Sequence, residues 1–236
     1  MAAMIFMGTG NNVFANDEVT YDSNMQTKKF DVNVKVGKDG SYTVTENIKV
    51  KFVNPRHGIY RYIPYKGNVV TIDKNGGQKK LLYYADFDLL KNDSNTDLQE
   101  DSDGNSEVLQ FGSEDSTVNE ENYKFTYQLT PQYQGDTFDY LYYNIFPTLW
   151  RNNIPKGSTF TIHFPKKTDL KSVNFFYGRY GESKNAKDVL TLKYNEKNAQ
   201  ITGTLKKTLP FKNGLTCYSD LGDGYFTERN EIGAGG

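Results

Sequence analysis

The sequence predicts an all-β fold: an antiparallel β-sandwich, immunoglobulin- or fibronectin-like or two-lobed, with little helix. Three observations predict it. Aromatic residues make up 14% of the chain, with Tyr 18 and Phe 15, and such rings favour strands over helices. Apolar and polar residues alternate with period two in segment after segment, while strong helical periodicity appears nowhere. The segments are short and separated by regular turn signals, as in a sandwich.

Composition sets further bounds. A chain of 236 residues suffices for one large domain or two small ones. Hydrophobic content of 36% and mean hydropathy of −0.71 read as a water-soluble chain. A net charge of −1 gives no general electrostatic case for nucleic acid, and none is expected as a partner. The single cysteine, Cys217, excludes an internal disulfide and reads as a small buried strand residue. Two histidines and one cysteine cannot build a standard zinc site. No cofactor is expected.

Residues 1–25 read as a leader remnant or disordered N-terminus. Val13-Phe14-Ala15 resembles a cleavage site before Asn16-Asp17-Glu18, although Gly8, Gly10, Asn11 and Asn12 break the apolar run.

The most informative stretch follows. Phe30, Val32, Val34 and Val36 alternate with Asp31, Asn33 and Lys35. After Asp39-Gly40, the residues Tyr42, Val44, Ile48, Val50 and Phe52 alternate with polar partners. This predicts a long hairpin with one buried face. A two-residue loop would pair Val36 with Thr43 and put apolar residues opposite polar ones. A three-residue loop, Lys38-Asp39-Gly40, pairs Val36 with Tyr42 and Val34 with Val44. The expectation is a type I turn with Gly40 left-handed in a bulge.

Glu46 breaks the pattern, because it falls on the apolar face. A carboxylate there must be paired, protonated or at an opening in the core. Arg61, within Ile59-Tyr60-Arg61-Tyr62-Ile63, is the expected salt-bridge partner. His57 lies beside this pair in sequence. An acid–base site of His57 and Glu46 is one reading and a structural ion pair the other; the structural reading is preferred, since no nucleophile is marked nearby.

Beyond Pro64, strands are expected at Val69 to Ile72 and Lys80 to Leu89, joined by a turn at Asn75-Gly76-Gly77. From Lys91 to Glu121 there are ten Asp or Glu and one Lys. A strand is conceivable at Val108 to Phe111, and the rest reads as an exposed loop, with 91–107 mobile. Asp101, Asp103, Asn105 and Glu107 offer alternating oxygen ligands as a weak calcium candidate. Gly104 is misplaced for an EF-hand loop, so no metal is expected.

Further strands are expected at Tyr123 to Leu129, Phe138 to Ile145, Phe160 to Phe164, Val173 to Tyr177, Val189 to Tyr194, Ala199 to Leu205 and Leu215 to Tyr218. Asn195 to Asn198 makes a hairpin between two of them. His163 alternates outward. Tyr140, Tyr142, Tyr143, Phe146 and Trp150 could form a ligand-facing stacking platform or ordinary core, and core is favoured.

Several blocks resemble one family. Asp39-Gly40-Ser41, Val44-Thr45-Glu46, His57-Gly58-Ile59-Tyr60-Arg61 and Ile63-Pro64 are similar to the start of a family of predicted bacterial membrane proteins, domain of unknown function 2207. Asp139 through Trp150, Ile154 and Phe164-Pro165 resemble its middle. Leu215-Thr216 and Gly224-Tyr225-Phe226 resemble its end, before a membrane span. The resemblance implies a signal peptide, an extracytoplasmic β-rich domain at 26–226 and transmembrane helices beyond Gly236, with 227–236 leading to them. It implies no catalytic residues. The expected function is a non-enzymatic interaction or sensing module, exported and anchored at the bacterial envelope. The alternative is a carbohydrate-binding module or surface adhesin using the aromatic platform of Tyr140, Tyr142 and Trp150. The expected partner is an unidentified envelope protein or a glycan.

Overall fold

The computed structural model describes residues 19–72, 78–132 and 139–229. Among them the chain forms β1 (Met25–Val36), β2 (Tyr42–Arg56), β3 (Gly58–Pro64), β4 (Lys66–Ile72), β5 (Gln78–Asn92), β6 (Leu98–Ser102), β7 (Ser106–Gly112) and β8 (Val118–Pro131). After these come β9 (Asp139–Phe146), β10 (Thr159–His163), β11 (Asn174–Gly178), β12 (Lys184–Asn185), β13 (Leu190–Asn195), β14 (Gln200–Leu205) and β15 (Gly214–Gly222). The helical content described is single 3-10 turns, such as Leu170–Ser172. None is long and apolar enough to cross a membrane.

The strands build three sheets. A wide one runs β13-β14-β10-β1-β2-β8-β5-β4, a second β12-β11-β15-β9 and a third β3-β7-β6. The two smaller sheets cover the inner face of the wide one. Phe30 meets Phe146 edge-on at 5.7 Å, Tyr42 meets Tyr143 at 5.7 Å, and Phe111 packs on Phe125 at 4.8 Å. The all-β sandwich is therefore one wide layer against two narrow ones. It is not wholly antiparallel: β1 and β10 run parallel, with Val32 opposite Phe160 and Val34 opposite Ile162. A tight hairpin forces antiparallel neighbours, but β10 reaches the wide sheet by a long crossover from β9.

The β1–β2 hairpin shows how sequence sets this layer. Val36 pairs with Tyr42 and Val34 with Val44. At the turn, Gly37 N–H donates to Ser41 O at 2.8 Å and Gly40 N–H to Gly37 O at 3.2 Å. Gly40 has φ 85, the left-handed region open to glycine. Asp39 Oδ1 accepts from Ser41 N at 2.9 Å and from Ser41 Oγ at 2.6 Å, fixing the corner. This register puts Phe30, Val32, Val34, Tyr42, Val44, Ile48 and Val50 in the core, where each large side chain contributes about 1.5–3 kcal/mol.

Three expected boundaries change. The acidic segment is not a plain loop at 91–107, because β6 and β7 pair there and β7 pairs with β3. The polar residues of β6 gave no apolar signal, since four of its five residues are exposed. The folded body begins before residue 26: Met25 is buried, and Asp22 N–H donates to Arg151 O at 2.7 Å. It also extends past 226, where Thr227 N–H donates to Lys38 O at 3.0 Å. The Val13-Phe14-Ala15 motif and the Asn75-Gly76-Gly77 turn lie outside the described residues.

Candidate functional site

Glu46 sits on the inner face of β2, opposite Val32 on β1 and Phe125 on β8. Arg61 comes from β3, between the buried Ile59 and Ile63. Strand alternation sends all three β3 side chains inward, so the guanidinium meets the carboxylate side-on. Arg61 Nε donates to Glu46 Oε2 at 2.9 Å and Nη2 to Oε1 at 2.8 Å. Arg61 Nη1 donates to Tyr62 O. Side-chain exposure is 3% for Arg61 and 0% for Glu46.

Two tyrosines complete the cluster. Tyr127 OH donates to Glu46 Oε1 at 2.8 Å. Its proton is thereby used, so the 2.7 Å contact with Tyr143 OH has Tyr143 as donor. Glu46 and Tyr127 belong to the wide sheet, Arg61 to the three-stranded one and Tyr143, on β9, to the four-stranded one. A single hydrogen-bonded cluster thus joins all three layers.

Its electrostatics follow from burial. Loss of water works against the Arg61 guanidinium, but the Glu46 charge more than offsets this and holds its pKa above the ordinary arginine value. Burial first, and then the Glu46 charge, raises the Tyr127 and Tyr143 phenols. The arrangement suits a fixed ion pair with satisfied lone pairs, a geometry that holds position.

The other sequence candidates lie elsewhere. His57 is exposed. Its Nδ1 reaches Ser113 O at 2.9 Å and Ser116 O at 2.8 Å. Both are acceptors, so the ring carries its proton on Nδ1 and clips the loop after β7. The acid–base reading needed an open cleft shared by His57 and Glu46, and Glu46 is sealed.

The ligand-facing reading of Tyr140, Tyr142 and Trp150 is corrected to core, at 4%, 3% and 3% exposure. Trp150 packs edge-on against Phe30 at 5.4 Å, and its Nε1 donates to Thr27 Oγ1 at 2.9 Å. Tyr142 meets Tyr83 at 5.7 Å.

The calcium candidate is corrected as well. Asp103 Oδ1 accepts from Asn105 N and Ser106 N at the hairpin turn. Asp101 pairs with Val108 while Glu107 pairs with Ser102, so the two carboxylates face opposite ways. Among the described residues no cluster of three or more His, Cys, Asp or Glu is placed to hold a metal ion.

Sequence reasoning missed Asp139. It is 1% exposed, accepts from Phe226 N at 2.8 Å and pairs with Arg229 Nη1 at 3.1 Å. Its signal was a carboxylate opening an aromatic strand.

Burial of so many ionisable side chains predicts alkaline sensitivity. Burial raises Tyr83, Tyr127, Tyr142 and Tyr143 above the ordinary 10.0, and pushes the Cys217 thiol from 9.0 up to about 12. These groups stay protonated in the fold while the unfolded chain ionises. The stability they contribute is complete below about pH 9 and lost as pH climbs through 10 and beyond. Each buried tyrosine removes up to about 1.4 kcal/mol per pH unit there. The urea midpoint is expected to fall steeply from about pH 8 to about pH 11, and Cys217 is expected to react with a thiol reagent only after unfolding. A level urea midpoint would contradict this.

The model of the predicted membrane protein (DUF2207) N-terminal domain matches residues 26–207. The chain belongs to that family. No curated protein matches it. Among solved structures, native yeast LTA4 hydrolase is similar over 90% of this chain and 32% of its own, at 9% identity and TM-score 0.51. The M1 zinc metallopeptidase from Deinococcus radiodurans is similar over 84% and 43%, at 11% identity and TM-score 0.45. The chain spans less than half the length of each, and the likeness to the yeast enzyme is one of fold alone.

Proposed function

We propose that this chain is the extracytoplasmic part of a membrane-anchored bacterial protein, working without catalysis as an interaction or sensing module at the envelope. Membership of a family described as an N-terminal domain of predicted membrane proteins carries the reading. The leader-like Val13-Phe14-Ala15 supports export. The sealing of Glu46 and Arg61 supports a structural role for the chain's most conspicuous charges.

Location is tested in cells. The natural gene, with whatever flanks these residues, is expressed with an epitope inserted at the exposed β6–β7 turn beside Gly104. The epitope is expected to be cleaved by protease added to intact, wall-stripped cells. Cleavage only after lysis would overturn export.

A further inference from the structure

A hollow of about 230 Å3 opens beside β5, lined by Tyr65, Tyr84, Ala85, Asp86, Phe87 and Glu107. Tyr65 and Tyr84 stand edge to face, with centroids 6.2 Å apart, and Tyr84 is 37% exposed. Phe87 is half-buried and stacks on Tyr127 at 5.5 Å. The rings are thus braced and partly open to solvent.

The hollow lies along an open strand edge. β4 pairs with β5 only as far as Lys66 opposite Tyr84, while β5 continues against β8 through Asn92. Ala85 N–H donates away from β8, to Tyr65 O at 2.8 Å, whereas Tyr84 O accepts from Gln132 N on the β8 side. Backbone direction alternates along a strand. Phe87 therefore turns its N–H and C=O to the edge that no described strand occupies.

The chain that leads away from this edge is mainly acidic, although Lys66 sits in register opposite Tyr84 at its start. From Asp86 to Glu107 there are eight acidic residues and one lysine, Lys91, whose ammonium pairs with Asp93. Burial, then Glu100 and Asp101, raise the Glu107 carboxyl above its usual range. A bound cation would relieve that crowding.

We propose that this groove takes an extended, lysine- or arginine-bearing segment of a partner protein. The segment adds as a strand to the free edge of β5 and lays a basic side chain among Tyr65, Tyr84 and Phe87, against Glu107 and Asp86. Backbone bonds supply the docking and the side-chain hollow supplies selectivity. Aromatic faces and carboxylates together favour a cation. The proposal names the partner chemistry of the interaction module proposed above. It is measured on purified chain whereas export is measured in cells, so each can fail alone.

The probe is a capped Val-Lys-Val-Lys-Val peptide titrated by calorimetry. It is expected to bind, to weaken about tenfold in Glu107→Gln or Tyr84→Ala, and to weaken in about 0.5 M salt. The glutamate version, Val-Glu-Val-Glu-Val, is expected not to bind. A backbone N-methylated lysine peptide is expected to lose affinity. Failure of the lysine peptide to bind, equal binding of the glutamate peptide, or unchanged affinity in both variants overturns the site. Undiminished binding of the N-methylated peptide overturns strand addition. Melting curves of the two variants, both altered at partly exposed positions, establish that they remain folded.

Discussion

Glu46→Ala and Arg61→Ala are each expected to cost about 3–5 kcal/mol, because each leaves its partner charged, dry and unpaired. In Arg61→Ala, the Glu46 carboxylate loses both guanidinium bonds and keeps the one from Tyr127 OH. In Glu46→Ala, the guanidinium keeps Tyr62 O but loses both bonds to the carboxylate. Tyr143→Phe is expected to cost less, about 1 kcal/mol, since it removes one neutral hydrogen bond and leaves the ion pair intact. Urea unfolding monitored by Trp150 fluorescence checks the ordering. Single variants within about 1 kcal/mol of the parent would show that Glu46 and Arg61 are not a buried pair.

Gly58→Ala is the second large effect. Gly58 opposes Gly112 where β3 meets β7. A Cβ on Gly58 would lie 1.7 Å from Phe111 O, and one on Gly112 2.1 Å from His57 O. Both obstacles are backbone atoms of a paired strand and cannot rotate aside. Alanine must pry β3 from β7 one residue before Ile59 and three before Arg61, which disturbs the cluster too. The expected cost is about 3 kcal/mol, at the upper end for overpacking. Gly104→Ala is the control: its φ is +84 with nothing within 4 Å, so backbone strain alone should cost about 1–2 kcal/mol. A Gly58 variant no less stable than the Gly104 variant would mean the two strands part easily.

Much of the first hairpin was legible in the sequence. Its alternation runs long enough to force one register, and parity settled the loop at Lys38-Asp39-Gly40. Glu46 stood out as one carboxylate on an apolar face. Its tyrosine partners did not, because Tyr127 comes 81 residues later and its contact depends on β2 pairing with β8. Local pattern carries no information on such long-range neighbours. The parallel β1–β10 pairing was hidden for the same reason. β6 was misread for another: an exposed edge strand needs only a partner ladder, so Gln99, Glu100 and Asp101 carry no apolar mark. Tyr140, Tyr142 and Trp150 were ambiguous because rings that stack on ligands also fill cores; burial along both faces of β9 decided the tyrosines, and the packing of Trp150 on Phe30 decided the tryptophan.

One buried ionic cluster locks the three sheets together, and a double-mutant cycle measures that lock. Urea unfolding free energies are measured for the parent, Glu46→Ala, Arg61→Ala and the double variant. Removing the second charge relieves the penalty left by the first, so the double variant should lose less than the sum of the singles, by about 2–3 kcal/mol. Additive losses would contradict a direct pair and the account built on it.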